Sequence, residues 1–140
     1  MKTRITLTFV SALLFATAGP ALAQGDMPAP TPLPAQCPAV GEAMKMPGME
    51  EVAGMDAAHK DFAMAMMKME PSMMAGLKAE DPDVAFACGM IAHHQGAIDM
   101  AKAELAHGDN EEAKKKAQMI IDAQTKEIED FTAWLAANAK

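Results

Sequence analysis

The stretch from Asp81 to Gly108 constrains the fold more than any other part of the chain. Asp81 is a favoured helix N-cap, Pro82 fits the first helical position, and the Asp83 carboxylate suits the positive end of the helix dipole. Gly108 offers a left-handed stop at the other end, and no strand-like alternation competes between them. These signals predict one long helix from residue 82 to about His107.

Two more helices are predicted, one on either side of this central helix. Asp56 caps the first, which runs to about Lys78, and Asn110 begins the third, which ends near residue 138. Pro71 removes a backbone donor, so we expect the first helix to be kinked or broken into two pieces. Short connections imply antiparallel neighbours. The predicted fold class is all-α, a small antiparallel helical bundle of three to four helices.

Apolar side chains recur at helical spacing on both flanking helices. On the first helix, one face carries His59, Phe62, Ala63, Met66, Met73 and Leu77. On the third, the stripe consists of Ala117, Ile120, Ile121, Gln124, Ile128, Phe131 and Leu135. Gln124 lies within an apolar stripe, so its amide needs a hydrogen-bond partner if it is buried.

The N-terminus has the features of a secretory signal. Lys2 and Arg4 precede an apolar run that is too short to span a membrane, and Ala21-Leu-Ala23 is a small-x-small cleavage pattern. We therefore predict a signal peptide over 1–23 and a periplasmic or secreted protein with no membrane span after cleavage.

The chain after the predicted signal peptide divides into two parts of different composition. Residues 24–54 contain six prolines and are predicted to form a Pro/Met-rich linker. Residues 55–140 are predicted to form a helical metal-binding domain. Because export favours oxidation, a disulfide between Cys37 and Cys88 is the preferred state of the two cysteines. Free thiols or metal-bound thiolates are the alternatives.

The charge and composition exclude several function classes. The chain has 12 Lys and Arg against 19 Asp and Glu, a net charge of −7, so it is a poor partner for nucleic acid or anionic membranes. Ser72 is the only serine after the signal, and no nucleophile motif is present. We predict that the protein is not an enzyme.

Methionine is unusually frequent, with 15 among 140 residues. Methionine fills gaps in apolar cores, but thioethers in an oxidising compartment also suit Cu(I) and Ag(I). At ~100° per residue, Met90, His93 and Met100 fall on one face of the central helix, with His94 at its edge. We predict a copper site on this face, principally for Cu(I), with Cu(II) or Ag(I) as alternatives.

Further candidate ligands lie upstream of the central helix. His59 and Met66 are assigned to the site from the first helix, although a boundary histidine near a helix start explains His59 equally well. The secondary metal candidates are eight further methionines of this region: Met44, Met46, Met49, Met64, Met67, Met69, Met73 and Met74.

The run Met90-Ile-Ala-His-His-Gln-Gly-Ala-Ile-Asp-Met-Ala101 resembles the signature of the family called domain of unknown function 305. The similarity continues at Gln124–Ile128 and at Trp134-Leu135, and it covers roughly residues 56–137. The resemblance implies a ferritin-like helical fold and, in exported members, binding of copper or silver for copper handling or tolerance. Where the family usually has methionine three residues before the tryptophan, this chain has Phe131.

These observations predict an exported copper-binding protein that uses Met and His ligands for sequestration, transfer or tolerance. The expected partners are metal ions and a copper transporter or acceptor protein, and self-association stays open. One alternative is a metal-independent helical interaction module. Another is a metal-dependent oxidoreductase that uses His93, His94 and Glu104. The Glu104-x-x-His107 spacing occurs in di-iron bundles, but the second such motif is missing.

Overall fold

The computed structural model describes residues 28–40 and 50–139. For Met49 it describes the backbone but not the side chain. The predicted signal peptide and the candidate ligands Met44 and Met46 lie outside the described residues. The regular structure of the described part is helical: α1 (Met49–Ala53), α2 (Ala57–Gly76), α3 (Pro82–His107) and α4 (Glu111–Asn138). The predicted all-α bundle is confirmed. None of the described helices is both long and apolar enough to cross a membrane.

The three long helices begin where the sequence predicts, whereas the short α1 lies in the predicted linker. The N-cap side chains of Asp56, Asp81 and Asn110 each accept hydrogen bonds from backbone N–H groups in the first turn of the helix that follows. These bonds satisfy donors that have no partner inside the helix. The three long helices therefore have well-defined N-termini.

The prediction of a left-handed stop at Gly108 is wrong. Its backbone is extended, with φ −68° and ψ 150°. A glycine fits here because there is no room for a side chain, and not because the backbone conformation requires one. A Cβ at this position would collide with the side-chain carboxyl of Glu104 and lie 2.7 Å from the backbone carbonyl oxygen of Glu104.

The prediction that Pro71 divides the first helix is also wrong, because α2 continues through it. The described part of the predicted linker runs beside the helix at this point. The Thr31 N–H donates to the Lys68 carbonyl at 3.1 Å, and the Ser72 hydroxyl donates to the Thr31 carbonyl at 2.6 Å. The helix is thus held on both sides of the proline, and the loss of one backbone donor does not break it.

The long helices are arranged with α3 in the middle. It packs against both α2 and α4, whereas no Cα atom of α2 lies within 8 Å of a Cα atom of α4. Small residues bring α2 and α3 together: a Cβ on Gly76 would lie 2.8 Å from the Gly89 nitrogen. This arrangement leaves the two surfaces of the helical layer, above and below α3, without a further helix in the described part of the chain.

The buried side of α2 is not its methionine-rich face. The buried residues of α2 are Ala65, Met67, Ser72, Ala75 and Gly76, whereas Met66 and Leu77 are exposed. Small side chains allow the close helix approach described above, so the larger apolar side chains point elsewhere.

One core cluster joins α3 to α4 and to the N-terminal segment. It consists of Val84, Ala87, Cys88, Ile91 and Leu135, with Leu33 and Cys37 packed against it. Cys37 and Cys88 form a disulfide with Cα atoms 5.7 Å apart, as predicted. Residues 28–40 are therefore attached to the bundle covalently and by hydrogen bonds, although they lie within the predicted linker.

Candidate metal-binding face

The uncovered side of α3 carries the predicted ligands. Its exposed or half-buried residues recur at intervals of four, three, four, three and four: Phe86, Met90, His93, Ala97, Met100 and Glu104. We call this stripe the open face of α3. Residues on the two flanks of the stripe, such as His94 and Gly96, are buried, because the neighbouring helices cover them.

Three contacts give the antiparallel register of α2 against α3. Gly76 meets Gly89, Gly96 meets Met69, and Asp61 Oδ2 lies 2.7 Å from His107 Nε2. Following this register, Met73 lies level with His93, and Met66 lies level with Met100.

Helix geometry places these pairs on the same surface of the layer. The Lys68 Nζ lies 3.9 Å from the Asp99 carboxylate on the other surface. At ~100° per residue, Met73 points ~140° away from Lys68, and His93 points ~120° away from Asp99. The thioether of Met73 and the imidazole of His93 therefore border the same groove between α2 and α3.

The distance along the helix divides the predicted ligand set. Met90 and Met100 are ten residues apart, or ~15 Å of helix axis. Two side chains on one helix cannot reach across that distance to one ion when metal–ligand bonds are about 2.0–2.3 Å. The candidate ligands therefore divide into two groups along the helices. Met90 and His93 lie near the level of Met73, whereas Met100 lies near the level of Met66.

The environment of His94 differs from that of His93, because His94 is buried and His93 is exposed. The His94 side chain is 6% exposed, and its Nε2 lies 2.8 Å from Glu127 Oε2. Burial lowers the pKa of His94, with a smaller lowering from His93, and the Glu127 carboxylate only partly opposes this. The Nδ1 of His94 is buried and has no hydrogen-bond partner among the residues that the structure describes.

Glu127 is the residue that sequence reasoning missed. Its Oε2 lies 2.8 Å from the His94 Nε2 and accepts a hydrogen bond from the Gln124 amide at 3.1 Å, which gives Gln124 the partner that its position requires. Glu127 lies within the Gln124–Ile128 run that carries the family resemblance, and that run was its only signal in the sequence. It helps line a cleft of about 480 Å³ formed by Met90, His94, Glu127, Asp130, Phe131 and Trp134.

Phe131 closes one side of this cleft. Its ring centroid is 5.7 Å from that of Phe86 and 5.9 Å from that of His94. An apolar ring therefore stands where the family resemblance leads one to expect a thioether.

The remaining candidates are dispersed. The His59 Nδ1 lies 2.8 Å from Asp56 Oδ2 at the start of α2, seven residues and ~10.5 Å of helix axis from Met66. Met67 is buried, whereas Met74 is exposed. Met64 and Met69 are half-buried. Among residues 28–40 and 49–139, no three His, Cys, Asp or Glu side chains are grouped so that they can hold a metal, and this includes His93, His94 and Glu104.

Fold and surface together define a class: a small, disulfide-linked helical protein that presents thioethers and one exposed imidazole on an uncovered helix face. The sequence profile of the domain of unknown function DUF305 matches residues 25–135, and the chain belongs to this family. The match includes the segment that is tied to α2 and α3 by Thr31 and Cys37. No curated protein matches the chain.

Proposed function

We propose that this protein binds Cu(I), and Ag(I) because of the same softness, through thioether and imidazole ligands on the open face. The observation that carries the proposal is the groove between α2 and α3 that Met73 and His93 border, with Met90 one turn from His93 on the open face. Thioethers select soft monovalent ions, and a neutral imidazole suits copper as well. Met66 and Met100 form a second, all-thioether subsite.

The exposure of Met66 and Met100 supports a ligand role over a packing role for these two methionines. Met66 and Met100 are among the exposed large apolar residues, at 53% and 40%. A methionine that only filled a gap in the core would be buried, as Met67 is. Several large apolar side chains left on one surface favour binding of a ligand or partner.

The physiological role that we propose is copper sequestration or transfer outside the cytoplasm. Thioether ligands bind a metal ion without losing a proton. Transfer of the ion from a thioether to an acceptor protein therefore requires no protonation of the thioether. The Cys37–Cys88 disulfide and the Ala21-Leu-Ala23 cleavage pattern support export. N-terminal sequencing of the protein recovered from the cell tests export, and a chain that still begins at Met1 contradicts it.

The central experiment is an anaerobic Cu(I) titration of the purified chain against a competing chromophoric chelator. We expect Met73→Leu, Met90→Leu and His93→Gln each to weaken Cu(I) binding at least about tenfold, since each removes one ligand. Met119→Leu is the matched control, because Met119 is 68% exposed on α4 and lies outside the groove. Equal affinities for all four variants and the natural chain would contradict the proposal.

The metal-independent interaction module is the competing function, and the exposed apolar face favours it. Met66, Met100 and Phe86 offer an adaptable surface for a partner helix. The two functions separate on chelation: a copper site loses its ion, whereas a purely apolar surface binds its partner equally well with and without a Cu(I) chelator.

A further inference from the structure

The open face of α3 has the spacing of a coiled-coil seam, but none of the helices in the described part of the chain lies against it. Intervals of four and three alternate along its six residues, from Phe86 to Glu104, and this is the 3.5-residue repeat that packs one helix against another. The helices α2 and α4 cover the flanks of α3 instead. The seam is thus available for a helix of another molecule.

The intervals between successive seam residues are four, three, four, three and four, so their order is the same in both chain directions. The centre of this symmetric pattern is residue 95. An antiparallel copy of the seam therefore matches every position: Phe86 with Glu104, Met90 with Met100, and His93 with Ala97. The small side chain of Ala97 lies opposite the large ring of His93 in both halves of such a pair. Alternation of small and large residues across facing positions is the arrangement that packs without voids.

We propose that the occupant of this face is a second copy of the chain, docked antiparallel about a twofold axis near residue 95. A twofold pair needs a self-complementary surface, and the seam has that property. Met90 and His93 of one copy then meet Met100 of the other, and this pairing brings together ligands that lie ~15 Å apart along the helix in a single chain. Each dimer holds two equivalent copper sites.

The available area is large enough for a stable pair. The helices α2 and α3 contain 20 and 26 residues. At ~1.5 Å per residue and with axes about 8–10 Å apart, their common surface is about 600–800 Å². Stable interfaces bury about 600–1,000 Å² per partner, so this surface falls within the usual range. Docking rests on this geometry alone, whereas completion of the metal site also rests on the proposed Cu(I) binding.

Sedimentation velocity of the purified chain, with and without Cu(I) under anaerobic conditions, tests the docking. We expect a dimer whose dissociation constant falls when Cu(I) is added, because an ion held by both copies binds the dimer more tightly. Ala97→Glu places an uncompensated charge at the centre of the seam and should raise the dissociation constant more than about 100-fold.

Ala106→Glu is the matched control, because it adds the same charge to the exposed other side of α3. Met100→Glu, at an exposed position, serves as the second seam variant if Ala97→Glu loses its helical circular dichroism. Dimerisation that survives the seam variants, or that fails equally in the control, overturns the docking proposal.

A mixing experiment tests whether the two copies share each site. Chains carrying His93→Ala and chains carrying Met100→Ala each lack a ligand in both sites of their own dimers. Mixed dimers contain one intact site, so the mixture should regain high-affinity Cu(I) binding that neither variant has alone. Absence of this recovery in a sample that has exchanged subunits overturns the shared site.

The outcomes for the two proposals are distinct. A chain that stays monomeric but binds Cu(I) through Met73, Met90 and His93 overturns the dimer and leaves the proposed function standing. A chain that dimerises through the seam and binds no Cu(I) overturns the function and the shared site but supports the docking surface.

Discussion

At the scale of single residues, the adjacent histidines of α3 have opposite environments. One step along a helix turns a side chain by ~100°, which is enough to move His93 to the uncovered surface and His94 against α4. Exposure leaves the first available to a ligand from solvent, while burial holds the second against Glu127. Two identical residues thus acquire different chemistry from the position of one neighbouring helix.

The lowered pKa of His94 predicts that the metal-free protein loses stability in mild acid. The unfolded chain takes up a proton below pH ~6.5, whereas the folded chain resists protonation until a lower pH. The free energy of unfolding should therefore be constant above pH ~7 and fall as the pH drops through 6.5. Urea unfolding between pH 7.5 and 5.0, with a chelator present, measures this.

Two variants isolate the contribution of His94. His94→Gln should make the unfolding free energy less dependent on pH. Glu127→Gln removes the attraction that opposes the lowering of the pKa, so the loss of stability should extend to lower pH. Identical slopes for the natural chain and His94→Gln would show that other groups cause the effect.

Two facing glycines make a matched pair for stability. A Cβ on Gly76 would lie 2.8 Å from a backbone nitrogen of α3, whereas a Cβ on Gly89 would meet nothing within 4 Å. We expect Gly76→Ala to lower the free energy of unfolding by about 1–3 kcal/mol through overpacking. Gly89→Ala should raise it by about 0.5–1 kcal/mol because alanine favours the helix. Thermal denaturation of the two variants distinguishes these signs, and a gain in both would contradict the close approach.

At the scale of helices, α4 depends on a few buried positions. Only Ala117 and Leu135 of its 28 residues are buried, and Leu135 is the largest fully buried side chain in the described part. A helix with so little burial contributes to the bundle mainly through this end, where it meets the core cluster of α3.

We therefore expect Leu135→Ala to destabilise the protein by about 2–5 kcal/mol, the usual cost of a cavity left by a buried leucine. Leu77→Ala is the control, since Leu77 is 60% exposed, and its effect should stay within about 0.5 kcal/mol. Chemical denaturation measures both. Similar losses for the two variants would show that α4 is not held at Leu135.

At the scale of the whole molecule, the disulfide is the covalent tie between the N-terminal segment and the bundle. It closes a loop with a sequence separation of 51 and connects residues 28–40 to the centre of the core cluster. The hydrogen bonds of Thr31 to α2 also hold this segment against the bundle.

Replacing both cysteines by alanine should lower the free energy of unfolding by about 2–4 kcal/mol, mainly because the unfolded chain gains freedom. Hydrogen exchange should also rise at the Thr31 amide. Calorimetry and exchange on the double variant check the two effects. Unchanged protection at Thr31 would show that its hydrogen bonds hold the segment without the disulfide.

The sequence by itself determined the three long helices and their starts, because caps, proline at a first turn and helical periodicity act locally. Asp81 and Pro82 specify the start of α3 whatever packs against it. The spacing of Met90, His93 and Met100 on one face is also local information. The partner of Cys37 followed from there being only one other cysteine.

Only the tertiary structure decided which helix faces are covered. Close contact through Gly76 and Gly89 turns the small side of α2 toward α3 and leaves Met66 outside, although apolarity alone favours the opposite choice. The pairing of His94 with Glu127, the continuity of α2 through Pro71 and the extended backbone of Gly108 depend on residues distant in sequence or on space within a turn. Periodicity identifies a face, but the neighbour that covers it is a property of the packed molecule.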